Sequence, residues 1–263
     1  MEKSFSETVR YRPEYPLAWV ELNRPQALNA LNKEVFVTLG RIMDEIAADD
    51  QVKAVILTGS GEKAFAAGAD VEEMKSLSAL EAGQFALVAH EAQEKLSNLP
   101  KATIAALNGF TLGGGCELAL CCDIRIASEK ARLGQPEINL GIIPGGGGTQ
   151  RLARLVGIAK AKELIFTGRI MAAPEALALG LVNMVVKPEE LREAAKKLAL
   201  EIAGKSAPAL ALAKRSIAEG AELPLSGALH YEIECFAQCF ATEDHREGIT
   251  AFLEKRAPVY RHG

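Results

Sequence analysis

Residues 111–123 read TLGGGCELALCCD: three consecutive glycines, then an apolar run that carries a single carboxylate, Glu117. Glycine lets a backbone approach another backbone or a ligand at distances that a Cβ forbids. An apolar run without a polar face is normally buried. Leu112, Cys116, Leu118, Ala119, Leu120, Cys121 and Cys122 surround Glu117. A solvated acid at a helix N-terminus, where the dipole favours negative charge, does not fit that context. A buried carboxylate needs a partner or a task.

A second glycine run, GGGG at 145–148, follows a second acid, Glu137, set in GQPEI 20 residues after Glu117. Both runs precede helix-like segments and would suit an anion on bare N–H groups. The specific fingerprints fail. Gly141 and Gly146 have P-loop spacing, but Gly147 stands where lysine is required. A dinucleotide G-x-G-x-x-G from Gly145 meets Gln150, and from Gly113 it meets Leu118. Ser60 in TGSG misses the G-x-S-x-G elbow of a serine hydrolase. His90, His230, His245 and His262 flank no candidate nucleophile and are read as surface or packing residues. What survives is the carboxylate pair. A strand and a turn between them would let both face one cleft, where differing environments hold one acid protonated and one ionised. The glycines would offer N–H groups to a developing oxyanion.

The chain has 263 residues, 49% hydrophobic and 24% charged, which supplies a sizeable core. A net charge of −4 argues against a generic nucleic-acid binder. No apolar run reaches membrane-spanning length and residues 1–10 are polar, so a cytoplasmic enzyme is expected. The five cysteines, among them Cys235 and Cys239 at i, i+4, lack the spacing and partners of a metal site. Buried reduced thiols are expected, with no metal and no disulfide framework.

Strands are predicted over 17–23, 52–58, 103–107, 124–127 and 182–186, and an amphipathic helix over 32–49 with Phe36, Leu39, Ile42, Met43 and Ile46 on one stripe. Ser78 and Glu81 form a capping-box pattern for a helix to about Leu99. A helix after the second glycine run ends near Gly157, and Pro174 suits the first turn of a short one. Helices follow over 189–204, 208–220, 226–241 and 244–256. An α/β body over 1–200 and a helical region over 201–263 result. Leu229, Ile233, Phe236, Phe240, Ile249 and Phe252 give the latter apolar faces, to pack on the body or on another subunit.

The blocks at 105–123 (AALNGFTLGGGCELALCCD) and 134–152 (GQPEINLGIIPGGGGTQRL) resemble the enoyl-CoA hydratase (crotonase) family. The similarity continues through LNRPQALNAL at 22–31, EKAFAAGADVEEM at 62–74 and FATEDHREGITAFLEKR at 240–256. The resemblance implies an α/β fold, a crotonase-like spiral of repeated ββα units with a helical C-terminal trimerisation region, the trimers commonly pairing into hexamers. It implies reversible syn addition of water to a trans-2-enoyl-CoA, with Glu117 mainly the base activating water and Glu137 mainly the acid protonating the α-carbon. The oxyanion hole falls on the backbone N–H groups of Ala69 and Gly114. Ala27 and Leu28, with Ala67, Gly68 and Asp70, match segments lining coenzyme A, and Phe236 and Lys255 match tail positions that reach it from a neighbouring subunit. Coenzyme A is part of the substrate, so no separate cofactor is implied. Gln26 stands where relatives often carry lysine, which weakens one expected contact to the coenzyme A phosphates.

Related isomerases often keep only the Glu137 carboxylate, and related dehalogenases place an aspartate within the second glycine region; both glutamates here favour a hydratase. Asp123 is read as a structural hydrogen-bond acceptor. RNA binding through the 32–49 helix is disfavoured, because Lys33 and Arg41 face Glu34, Asp44, Glu45, Asp49 and Asp50.

Overall fold

The computed structural model describes residues 3–261, so His262 lies outside the described residues. Strands β1 (Lys3–Ser4), β2 (Val9–Glu14) and β3 (Leu17–Leu22) form an antiparallel meander. Helix α1 (Lys33–Ala48) follows, its first turn capped by the Asn32 side chain, which accepts from Val35 N–H.

Three times the chain then lays a strand in a large sheet, steps to a short strand in a second sheet, and leaves through a helix. The first pass is β4 (Ala54–Gly59), β5 (Ala64–Ala66), then α2 (Val71–Met74) and α3 (Ala79–Ser97). The second is β6 (Ala102–Leu107), β7 (Phe110–Leu112) and α4 (Gly114–Leu120). The third is β8 (Ile124–Ser128), β9 (Arg132–Gly134), α5 (Gly148–Val156) and α6 (Ile158–Thr167). Strand β10 (Met171–Ala172), α7 (Ala173–Ala178), β11 (Met184–Val186) and α8 (Leu191–Ala203) close the body. The large sheet runs β1-β2-β3-β4-β6-β8-β11, parallel from β3 onward, and the small one runs β10-β9-β7-β5. This is the spiral of ββα units.

The central strands read as unbroken apolar runs because both of their faces are covered. In β4, Val55 and Leu57 join the core beneath α1 and α3, while Ala54 and Ile56 face α8. Leu191, Ala195, Ala199 and Ala203 recur every four residues along α8 and form its buried stripe on the sheet. Ser78 and Glu81 make the expected capping box at the start of α3.

Several boundaries differ from expectation. The strands expected from 52 and 182 begin at Ala54 and Met184, and α8 starts at Leu191 after a 3-10 turn, Pro188–Glu190. The short strands β5, β7 and β9 were not predicted. Neither was α6, which starts immediately after Gly157 (φ +81°) interrupts the preceding helix.

Helices α9 (Ala207–Gly220), α10 (Leu225–Cys239) and α11 (Glu243–Leu253) make the C-terminal region. Its apolar face is not covered by the body: Phe236 is 63% exposed and Phe252 80%. Cys116, Cys121, Cys122 and Cys235 are buried free thiols; Cys239, expected to be buried, is only partly so. Burial pushes the Cys116 thiol up to about 12, which keeps it protonated and unreactive. Asp123 Oδ2 accepts from Thr103 N–H at 2.8 Å and from its hydroxyl at 3.0 Å, and pairs with Lys214 Nζ at 2.9 Å.

Candidate active site

The first glycine run turns the chain from β7 into α4. Gly113 is left-handed (φ +49°), and a Cβ on it would stand 2.8 Å from Glu137 Oε1. A Cβ on Gly115 would stand 2.1 Å from the Ala66 carbonyl oxygen, so only glycine lets α4 seat against β5. Gly114 lies between them, and a Cβ there would be 3.3 Å from Ala69 N. Gly114 and the Ala69 nitrogen are therefore close neighbours in space. Neither donates to a backbone carbonyl among the described residues.

The segment bearing Ala69 is fixed from below. Ala67 N–H donates to Leu28 O, Leu31 N–H to Gly68 O, and Asp70 N–H to Leu31 O, at 2.9–3.0 Å. Buried Asn29 holds the other strand of this zipper, accepting from Arg24 N–H and donating to the Ser60 and Ala64 carbonyls. Asp70 pairs with Arg24 at 2.8 Å, which holds its carboxyl below the usual range.

Glu117 is 3% exposed. Its Oε1 accepts from Gly146 N–H at 2.8 Å and Gly148 N–H at 2.7 Å, so the second glycine run binds the carboxylate of the first. His90 Nε2–H donates to the Gly145 carbonyl at 2.9 Å and ties this loop to α3. Burial raises the Glu117 pKa, and the two N–H donors work against that rise. Glu137 lies in the first turn of a 3-10 helix, Pro136–Leu140, and the N–H of left-handed Gly141 caps it by donating to the Glu137 and Ile138 carbonyls. Burial, with the charge of Glu117 adding to it, pushes the Glu137 carboxyl up to about 7. With the buried Gln135 amide turned so that its nitrogen faces Glu137, it donates to both carboxyl oxygens, at 3.1 and 3.3 Å.

Glu117, Glu137, Ala67, Gly68, Ala69 and Gly114 all line one cavity of about 550 Å³. Its remaining wall is mainly apolar, with Phe36, Val71, Met74, Phe85, Leu140 and Ile142. Ala27, Leu28, Asp70, Phe236 and Lys255 do not line it within the single chain. Leu28 and Asp70 border it through the backbone zipper, whereas Phe236 packs edge-on against Phe240 on the helical tail, at 5.0 Å. Sequence inspection missed Gln93. This residue on α3 is fully buried, lines the cavity, and leaves both amide atoms without a hydrogen-bond partner. Such a group costs about 1–3 kcal/mol. Surrounded by Glu91, Glu94 and Lys95, it reads as solvated.

The family model for enoyl-CoA hydratase/isomerase matches residues 14–263. The chain belongs to this family. Its similarity extends to a short-chain-enoyl-CoA hydratase of Clostridium acetobutylicum, 51% identical over 240 residues that cover 91% of this chain and 92% of the relative. A crotonyl-CoA hydratase of Syntrophomonas wolfei is 47% identical over 95% of this chain and 96% of its own. A crystal structure of an enoyl-CoA hydratase from Bacillus anthracis superposes with a TM-score of 0.94 at 40% identity, covering 97% of this chain and all of that one. Within the described residues no helix is long and apolar enough to cross a membrane, and no group of three or more His, Cys, Asp or Glu could hold a metal ion.

Proposed function

We propose that this chain is an enoyl-CoA hydratase acting on short trans-2-enoyl-CoA thioesters by reversible syn addition of water. The observation that carries this reading is a pair of carboxyls of differing environment on one apolar cavity, beside two unused N–H groups. The names of the two relatives support the reaction and the short acyl chain.

In hydration, the Ala69 and Gly114 N–H groups would receive the thioester oxygen. They hold it as negative charge builds there, which is worth on the order of 10²–10³ in kcat per donor. Glu117 takes a proton from water as its oxygen bonds the β-carbon. The C=C π pair moves toward the α-carbon and thioester, and Glu137 delivers a proton to the α-carbon. The roles reverse in dehydration. Two donors favour the ionised form of Glu117 against the burial that raises its pKa, and a pKa of about 7 leaves a substantial fraction of Glu137 protonated near neutrality, in keeping with base and acid respectively. Ala27, Leu28, Ala67, Gly68 and Asp70 would follow the coenzyme A moiety out of the cavity. Phe236 and Lys255 would meet it from a neighbouring subunit of a trimer or dimer of trimers, an assembly favoured by the exposed apolar face of the tail.

The test is hydration of crotonyl-CoA and a ladder of longer enoyl-CoAs, followed by loss of enoyl-thioester absorbance. Rates should be highest for the shortest chains. Glu117→Gln and Glu137→Gln should each lower kcat at least about 10²-fold with little change in binding of a saturated acyl-CoA. Near-parental kcat in either variant would remove that glutamate from the mechanism.

A further inference from the structure

The inner face of α3 carries Ala89, Ala92, Gln93 and Leu96. Three of these are small or apolar; a leucine or methionine at 93 would continue the stripe and leave no amide unsatisfied. The amide instead lies at the cavity wall beside Glu117 and Gly146. The point over Gly146 that a Cβ would occupy lies 2.9 Å from Gln93 Nε2 and 2.6 Å from Glu117 Oε2. Gln93 and Glu117 thus flank one small space, kept open by a glycine, and no hydrogen bond joins them across it. Oε1 of Glu117 is already occupied by two N–H donors, so Oε2 is the oxygen available to accept a proton.

We infer that Gln93 positions the water that adds to the enoyl thioester, donating from Nε2–H to the water oxygen while Glu117 Oε2 takes its proton. A water has two lone pairs: one forms the new C–O bond at the β-carbon and the other accepts from Gln93. The O–H bond that breaks sends its proton to Glu117, the α-carbon gains one from Glu137, and Gln93 transfers nothing. The same Nε2–H then bonds the 3-hydroxyl of the product. Gln93 is therefore also the residue by which the site distinguishes a 3-hydroxyacyl chain from a saturated one. The inference rests on the hydratase reading.

The test compares the full-length parent with Gln93→Leu and the near-isosteric Gln93→Met. Each is assayed for hydration of crotonyl-CoA, for KM in dehydration of 3-hydroxybutyryl-CoA, and for inhibition by butyryl-CoA, which lacks only the 3-hydroxyl. Both variants should melt at or above the parental temperature, since an unsatisfied buried amide has gone. Hydration kcat should fall about 10–100-fold with KM for crotonyl-CoA nearly unchanged. KM for 3-hydroxybutyryl-CoA should rise about tenfold, the scale of one lost hydrogen bond, while butyryl-CoA inhibits as before. With an active parent, unchanged kcat in the folded variants would overturn the inference. So would an equal loss of affinity for the hydroxylated and saturated ligands, which would make Gln93 a packing residue. A parent that fails to hydrate crotonyl-CoA would overturn the hydratase reading itself, and this inference with it.

Discussion

Replacing Glu137 by glutamine tests the electrostatics of the site through stability as well as rate. Burial and the neighbouring Glu117 raise this carboxyl from 4.5 to about 7. Below pH 4.5 the group is protonated in both folded and unfolded chains and has no effect on their balance. Between 4.5 and 7 the unfolded chain releases the proton and the folded one keeps it. Unfolding then releases protons, and stability falls as pH rises. Above 7 both forms are ionised and the loss is complete. At about 1.4 kcal/mol per tenfold change in a proton equilibrium, the ceiling is roughly 3 kcal/mol. Glu137 is only partly buried, so solvent screening reduces this to about 1–2 kcal/mol. For a chain of this size that is on the order of 3–6 °C in Tm. Thermal melts of parent and Glu137→Gln at matched concentration should coincide at pH 4.5 and separate progressively up to pH 7, glutamine the more stable, with a constant gap beyond. A gap that does not vary with pH, or one that favours the parent at alkaline pH, would refute a carboxyl held protonated by its surroundings. In the hydration assay the same ionisation should appear as the alkaline limb of the parental kcat profile.

Gly146→Ala should fold, because its Cβ would meet the far ends of two side chains, Glu117 Oε2 at 2.6 Å and Gln93 Nε2 at 2.9 Å. Displacing that carboxylate should lower kcat at least about tenfold, and full activity in a correctly folded variant would mean the loop does not position Glu117. Analytical ultracentrifugation should find a trimer or a dimer of trimers, and a stable monomer at micromolar concentration would remove the roles proposed for Phe236 and Lys255.

What was legible in the sequence is what short-range chemistry encodes. The Ser78–Glu81 box and the Asn32 stripe sit within a turn or two of the backbone they order, so the starts of α1 and α3 could be read directly. Both glutamates stood out because an acid beside a glycine run in an apolar context has few uses. The short strands β5, β7 and β9 could not be read: three residues are too few to show alternation, and they are strands because the spiral sets them side by side. Gln93 was hidden for the same reason. Its neighbours in sequence are charged, and its burial comes from α3 packing on α1, with Phe85 edge-on to Phe36 at 5.9 Å. The tail's exposed aromatics were visible as a stripe, but the sequence does not record whether the body or a second copy covers them.

In the proposed mechanism, the division of labour between the two acids rests on how each run of glycines is used. The second run has no side chains, so two N–H groups converge on a single oxygen of Glu117. These donors favour the ionised form and work against the burial that raises the Glu117 pKa. Glu137 receives no such pair. Burial and the nearby charge of Glu117 make its negative charge costly and raise its pKa, and only its own backbone N–H works against that rise. In that mechanism an ionised Glu117 would raise the proton affinity of Glu137, and the pair as a unit would carry the single proton that hydration delivers to the α-carbon. Glycine at 113 then admits Glu137 to within 2.8 Å of the place a side chain would fill, beside the N–H of Gly114. In the proposed mechanism the triplet would thus bring the proton donor and the oxyanion donor to the same thioester.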